Sequence, residues 1–281
     1  MGQTDAWPAP AKLNLMLRIV GRRPDGYHEL QTVFQLLDYQ DLLYFSLRPD
    51  GRIIIDSSLE GISQEQNLIH RAARALQAFT RTEQGAEITL IKHIPMGGGL
   101  GGGSSDAATT LLALNQLWNT GLTAAQLADL GISLGADVPI FLYGHSAWAE
   151  GVGERLQALD LPESWYLVLT PDCHISTAEI FASPDLTRNS PRITIRDFLQ
   201  GETSNDCQAL VRRSHPEVAE ALDWLVNHSD ARMTGTGACV FAAFPNAASA
   251  DAAHRQLPAG LRGFVAKGLN RSPLLDRLEN E

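Results

Sequence analysis

The stretch Pro95-Met96-Gly97-Gly98-Gly99-Leu100-Gly101-Gly102-Gly103-Ser104-Ser105-Asp106 constrains this chain more than any other. Six glycines fall within seven residues, between two segments of clear periodicity. Residues 86–94 (AEITLIKHI) predict a strand. Over residues 106–119, Ala107, Ala108, Leu111, Leu112, Leu114, Leu117 and Trp118 recur at helical spacing. The order is therefore strand, glycine loop, helix start. Glycine lets a backbone approach a bulky anion and adopt positive φ. Loop amides and a helix N-terminus then supply donors and partial positive charge. Ser104 or Ser105 is placed to cap that helix or to offer its hydroxyl to a phosphate or a metal-bound oxygen.

Gly97, Gly99 and Gly102 satisfy a GxGxxG dinucleotide fingerprint, but so dense a glycine run does so by accident. A dinucleotide site also needs an acidic residue closing a second strand about 20 residues on. Here residues 123–134 read as helical instead. The Walker pattern fails because no Gly-Lys-Ser/Thr closes the loop. A flexible linker would not be flanked so tightly by apolar periodicity.

Net charge and cysteines narrow the class further. Twenty-two basic against 32 acidic residues leave a net charge of -10, which argues against a general nucleic-acid binder. A phosphate-rich ligand must then be held by local donors, which the glycine loop supplies. Cys173, Cys207 and Cys239 lack CxxC spacing and no HExxH occurs, so reduced thiols and no zinc site are expected. The opening Met1-Gly2-Gln3-Thr4-Asp5-Ala6 has Ala6 where a myristoylation signal wants Ser or Thr. Neither a signal peptide nor a long apolar span is present, so a cytoplasmic protein is expected, with no membrane, nucleic-acid or protein partner. Its 281 residues suffice for two modest domains or one large one.

Along the chain, residues 11–20 predict a strand whose Lys12 and Asn14 share the face opposite Leu13, Leu15 and Leu17. A turn-rich loop over 21–28 delivers Tyr27 and His28, placed either at a core edge or against a planar base. Residues 32–37 and 42–47 predict two strands joined around Asp38-Tyr39-Gln40-Asp41, and 52–56 a third. Asn67 caps a predicted helix running to Phe79, with Leu68, Ile69, Ala72, Ala75, Leu76 and Phe79 on its buried face. Thr123-Ala124-Ala125-Gln126 is a capping box opening a short helix that ends near Gly135. Asp137 precedes Val138-Pro139 and so sits outside a helix interior. Gly151-Val152-Gly153-Glu154 reads as a domain junction. The second part alternates predicted strands (165–169, 232–234, 238–244, 263–267) with helices (177–181, 216–226, 247–257), which indicates an α+β sandwich. Residues 274–281 read as a charged, mobile tail.

The segment Pro95–Ser105 resembles the second motif of the GHMP kinases. Pro10-Ala11-Lys12-Leu13-Asn14-Leu15 resembles that family's first motif, and Thr234-Gly235-Thr236-Gly237-Ala238-Cys239-Val240-Phe241 its third. Pro24-Asp25-Gly26-Tyr27-His28-Glu29-Leu30, Gly135-Ala136-Asp137-Val138-Pro139 and Ala149-Glu150-Gly151-Val152-Gly153-Glu154 narrow the likeness to one branch. The resemblance implies a two-domain α+β fold, residues 1–153 and 154–281, with the active site in the interdomain cleft. It implies transfer of the ATP γ-phosphoryl, with Mg2+, to the 2-hydroxyl of 4-diphosphocytidyl-2-C-methyl-D-erythritol, a step of the non-mevalonate route to isoprenoid precursors. It further implies that Asp137 takes the hydroxyl proton with Lys12 beside it. ATP would lie on Pro95, Met96, Gly97, Gly98, Gly99, Leu100, Gly101, Gly102, Gly103, Ser104 and Ser105, with Asn67 and Lys92 near adenine. Asn14, Tyr27, His28 and Phe181 would bind the acceptor, the two aromatics stacking on cytosine. No direct protein ligand for the metal is indicated. Asp106 departs from the small or neutral residue many members carry, and suits the site if its side chain points away from phosphate. Another GHMP kinase, or a nucleotide-binding relative without activity, is the competing reading. Asp25-Gly26-Tyr27-His28 disfavours the first and retention of Lys12 with Asp137 the second.

Overall fold

The computed structural model describes residues 6–24, 26–56 and 63–279. Asp25 and Met1–Asp5, both read above as parts of motifs, lie outside the described residues. In chain order the first elements are β1 (Trp7–Arg22), β2 (His28–Arg48), β3 (Ile53–Asp56), α1 (Leu68–Thr80), β4 (Gly85–Ile91) and α2 (Gly102–Leu117). Then come α3 (Ala124–Leu134), α4 (Val138–Tyr143), β5 (Ala147–Gly151) and β6 (Arg155–Ala158). The second part has β7 (Trp165–Leu169), α5 (Thr177–Ala182), α6 (Ile195–Leu199), α7 (Gln208–Ser214) and α8 (Pro216–Leu225). It closes with β8 (Ala231–Met233), β9 (Val240–Phe244), α9 (Ala247–His254), β10 (Gly263–Leu269) and α10 (Pro273–Glu279).

One sheet runs through the molecule in the order β3-β4-β2-β10-β7-β9-β8, with β1 and the β5–β6 hairpin also joined through β2. Its halves meet where Gly268 and Leu269 of β10 pair with Leu37 and Leu36 of β2. Helices α1 to α4 cover one face of the first half around Leu36, Leu76, Leu111, Leu114 and Phe141. A second core gathers Leu167, Val211, Leu222, Val240 and Ala250 under α7, α8 and α9. A third core joins the halves, packing Leu13, Met16 and Val33 against Val168, Phe241 and Ala266. Strand β1 threads all three, which is why it is buried along nearly its whole length rather than on alternate residues.

Several expectations are corrected. The polar run 38–41 is not a turn, because β2 is one strand of 21 residues. Asp38 and Asp41 instead accept hydrogen bonds from Lys267 N–H and from His93 and Ile94 N–H. Helix α2 begins at Gly102, inside the glycine run, and its N-cap is Gly101 with no side-chain cap, so neither serine caps it. Phe79 is 51% exposed, and Ala73 and Gln77 occupy the buried face of α1 instead. Residues 273–279 form α10 with Leu274 buried, so most of the expected mobile tail is docked. Helices α6 and α7 escaped the sequence reading because each is too short to show periodicity.

Candidate active site

Two irregularities in the pairing of β1 with β2 build the floor of the site. Its register with β2 shifts between Pro10 and Lys12 and again between Asn14 and Met16. At the first the extra residues lie in β2, the ladder is interrupted, and the Lys12 N–H donates instead to Leu100 O at 3.0 Å. The glycine loop is held the same way along its length. Cys239 N–H donates to Gly98 O at 3.1 Å, Thr234 Oγ1 to Gly99 O at 3.3 Å, and Ser105 N–H to Gly101 O at 2.8 Å. Four consecutive carbonyls are thus spent on protein donors. The amides opening α2 have no intrahelical acceptor. These loop residues line a cavity of about 370 Å³. A surface of amides with its carbonyls turned away is an anion site. Glycine is required at Gly99, where φ is +75° and a Cβ would sit 2.5 Å from Thr234 O. It is required equally at Gly101, where φ is +73° and a Cβ would sit 2.7 Å from the Phe141 ring.

A charged staple closes the two ends of this loop. Lys92, entering it, places Nζ 2.5 Å from Asp41 Oδ2 and 2.8 Å from Asp106 Oδ2, in the first turn of α2. Asp41 is buried, and its other oxygen accepts from His93 and Ile94 N–H at 2.6 and 2.8 Å. Burial pulls Lys92 down, but the two carboxylates more than offset this and its pKa lies above the ordinary value. Burial, with Asp41 adding to it against the pull of Lys92, pushes Asp106 up to about 7. Its Oδ1 and the Ser105 hydroxyl are buried without a hydrogen-bond partner among the described residues.

The second cavity, about 730 Å³, adjoins the first: Gly99 and Ser104 line both. Lys12 and Asp137 line it beside that junction, with Lys12 Nζ 3.2 Å from Asp137 Oδ2. Lys12 is 2% exposed and also donates to Asn14 Oδ1 at 2.5 Å, while Asn14 Nδ2 donates to Thr32 Oγ1 at 2.8 Å. This chain of side chains aims the ammonium. Asp137 is the N-cap of α4 yet makes no capping bond, so its carboxylate stays turned to the cavity, with its side chain 37% exposed.

At the far end stand Tyr27, His28 and Phe181. Tyr27 is 64% exposed. His28 stacks on Phe181 with ring centroids 4.9 Å apart and planes at 25°. Burial first, then Arg188 and Arg22, hold its pKa below the ordinary imidazole value. Asn67 and Lys92 line the loop cavity, though Asn67 spends its Oδ1 capping α1 through Ile69 N–H. Ser105 lines neither cavity. Sequence reasoning missed Asp41, Thr32 and Arg188. The sequence around Asp41 carries a turn signal, and no local pattern marks the other two.

The chain is similar throughout to proteins of one family. The model described as "GHMP kinases N terminal domain" matches residues 67–145, and "GHMP kinases C terminal" matches 188–263. The 4-diphosphocytidyl-2-C-methyl-D-erythritol kinase of Nitrosococcus oceani is 58% identical over 273 residues, 97% of this chain and 98% of that one. Its namesake in Shewanella loihica is 54% identical over 277 residues, 98% of each chain. A crystal structure of 4-(cytidine 5'-diphospho)-2C-methyl-D-erythritol kinase superposes with TM-score 0.80 at 32% identity, covering 94% of this chain and 99% of that one. A mevalonate kinase structure, at 16% identity and TM-score 0.69, covers 95% of this chain and 100% of its own, and shows the shared fold. Among the described residues no helix is long and apolar enough to cross a membrane.

Proposed function

This chain belongs to the GHMP kinases, in the 4-diphosphocytidyl-2-C-methyl-D-erythritol kinase branch, and from that premise we propose how it moves the γ-phosphoryl of ATP to the 2-hydroxyl of 4-diphosphocytidyl-2-C-methyl-D-erythritol. The observation that carries the reading is the junction of the two cavities at Gly99 and Ser104, with the Lys12–Asp137 pair beside it. Triphosphate lies on the amide surface of residues 95–105 with adenine toward Asn67 and Lys92. The acceptor lies across Asn14, with its cytosine between Tyr27 and the His28–Phe181 stack.

Asp137 accepts the hydroxyl proton as the oxygen bonds to the γ-phosphorus and the β–γ bridging oxygen leaves with ADP. Lys12, 3.2 Å from that carboxylate, aims it and stabilises negative charge as it develops on the attacking oxygen. Phosphoryl transfer asks mainly for positioning and charge stabilisation, which backbone amides and one lysine provide. No gathering of three or more His, Cys, Asp or Glu side chains that suits a metal is present among the described residues. Mg2+ therefore fits as a companion of the ATP phosphates. Ser104, whose residue lines both cavities, would offer its hydroxyl to such an ion, which would neutralise charge on the phosphates. Residues 1–153 act as the ATP-binding, catalytic half and 154–281 as the half completing the acceptor site. The β5–β6 hairpin spans the division, since Glu150 pairs with Arg155. A cytoplasmic setting is part of the same proposal.

The test is an ADP-release assay with the cytidylyl substrate, mevalonate and homoserine in parallel. Turnover with the cytidylyl substrate alone is expected. Turnover with either of the others, and none with it, would sink the assignment.

A further inference from the structure

One side chain connects the two parts of the distal wall without lining the cavity itself. Arg188 lies in the irregular segment between α5 and α6. Its Nη2 donates to Phe181 O at 2.8 Å and to Ser183 O at 2.6 Å, and its Nη1 donates to Leu186 O at 3.1 Å. Its Nε donates to His28 Nε2 at 3.1 Å, across to the start of β2. The guanidinium therefore fixes the end of α5 that carries Phe181 and the ring stacked upon it.

The chemistry of this contact is one-directional. A guanidinium donates and never accepts. The imidazole nitrogen facing it must present a lone pair, so the ring proton of neutral His28 resides on Nδ1. Doubly protonated His28 would set N–H against N–H. The charged groups around it, Arg188 and Arg22 of the paired strand β1, oppose that state, in keeping with its lowered pKa.

We propose that Arg188 is a positioning residue for the cytidylyl group, locking His28 as its Nδ1–H tautomer flat against Phe181 so that the distal pocket presents a ring and a hydrogen-bond donor to an acceptor atom of the base. This rests on the assignment of the distal pocket to the cytidylyl group. Arg188 acts through His28 and Phe181 and touches no reacting atom. It also makes the pocket a joint product of the two parts of the chain, since β2 supplies the imidazole and the segment after α5 holds it.

The experiment uses full-length protein labelled with 15N-histidine, with His28→Gln identifying the His28 signals. In the ligand-free parent at pH 8, long-range 1H–15N correlation should give the Nδ1–H pattern for His28. Arg188→Met should shift the ring toward the Nε2–H form and raise the KM for the cytidylyl substrate roughly ten- to hundredfold, as expected for one lost charge-assisted contact. The KM for ATP should stay within about twofold. Arg188→Lys keeps the charge without the fork and should give the same pattern, which covers the case of a misfolded methionine variant. An Nε2–H ring in the parent overturns the proposal. So do unchanged ring signals in the folded variants, or changed signals with an unchanged ratio of the two KM values. A parent that shows the Nδ1–H ring but does not turn over the cytidylyl substrate supports the lock and refutes the substrate assignment instead.

Discussion

At the scale of single residues, Asp137 and Lys12 make the sharpest claim. Asp137→Asn keeps the shape of the pair and removes the proton acceptor. General base catalysis contributes about 10²–10⁴-fold, so kcat should fall by that order while ATP binding, followed by titration, holds. Near-normal turnover with chemistry rate-limiting would remove Asp137 from the role. The aromatic wall divides where the sequence treated its two rings alike. Tyr27 is 64% exposed, whereas Phe181 packs at the margin of the second core. Tyr27→Ala should raise the KM for the cytidylyl substrate, at the ~1–3 kcal/mol worth of a base-aromatic stack, and leave the melting temperature in place. Phe181→Ala should move both. Equal melting temperatures for the two variants would contradict that division. Motif residues such as Lys12 and Asp137 were legible because each sits in a local pattern. Arg188 was not, because its meaning lies in a contact with His28, 160 positions away in sequence.

At the scale of elements, the glycine loop was legible as a strand-to-helix turn, but its glycines are not equivalent. Gly101 needs positive φ and meets the Phe141 ring. Gly103 lies within α2, and a Cβ there meets Leu68 at 3.4 Å, an ordinary contact. Gly101→Ala should therefore weaken ATP binding and lower the melting temperature. Gly103→Ala should fold normally and bind ATP within a few-fold of the parent, because alanine also favours the helix by about 1 kcal/mol. The reverse ranking in a binding titration would refute this reading of the loop. Asp106 carries a pH signature. Between its ordinary value of 3.8 and about 7, the unfolded chain releases this proton and the folded chain keeps it. Its contribution to stability is therefore lost as pH rises through that window. Asp106→Asn lacks the liability, so its melting temperature relative to the parent should be higher at pH 8 than at pH 5. A difference that stays flat between the two would mean Asp106 is ionised in the fold throughout. The staple with Lys92 and Asp41 was invisible beforehand, since aspartate in Asp38-Tyr39-Gln40-Asp41 carries the same signal whether it makes a turn or is buried under one lysine and two amides.

At the scale of the whole molecule, the α+β class was legible in the mixture of predicted strands and helices and the cleft was what the family resemblance implied, while the joining of the halves was not legible. That joining rests on β1 threading three cores and on β10 bridging β2 and β7, long-range pairings such as Gly268 with Leu37 and Gly263 with Leu169 that no window of sequence encodes. The two cavities nevertheless have largely different linings and adjoin at Gly99 and Ser104. Each reactant can therefore occupy its own chamber while the other is present, and the phosphorus needs no intermediate carrier on the protein. Initial-velocity plots against the two substrates should intersect rather than run parallel, and no exchange of label between ADP and ATP should occur without the acceptor. A γ-phosphoryl made chiral with oxygen isotopes should reach the product with inverted handedness, the imprint of one displacement. Retention would mean two displacements, and a protein group between the chambers that briefly holds the phosphoryl itself.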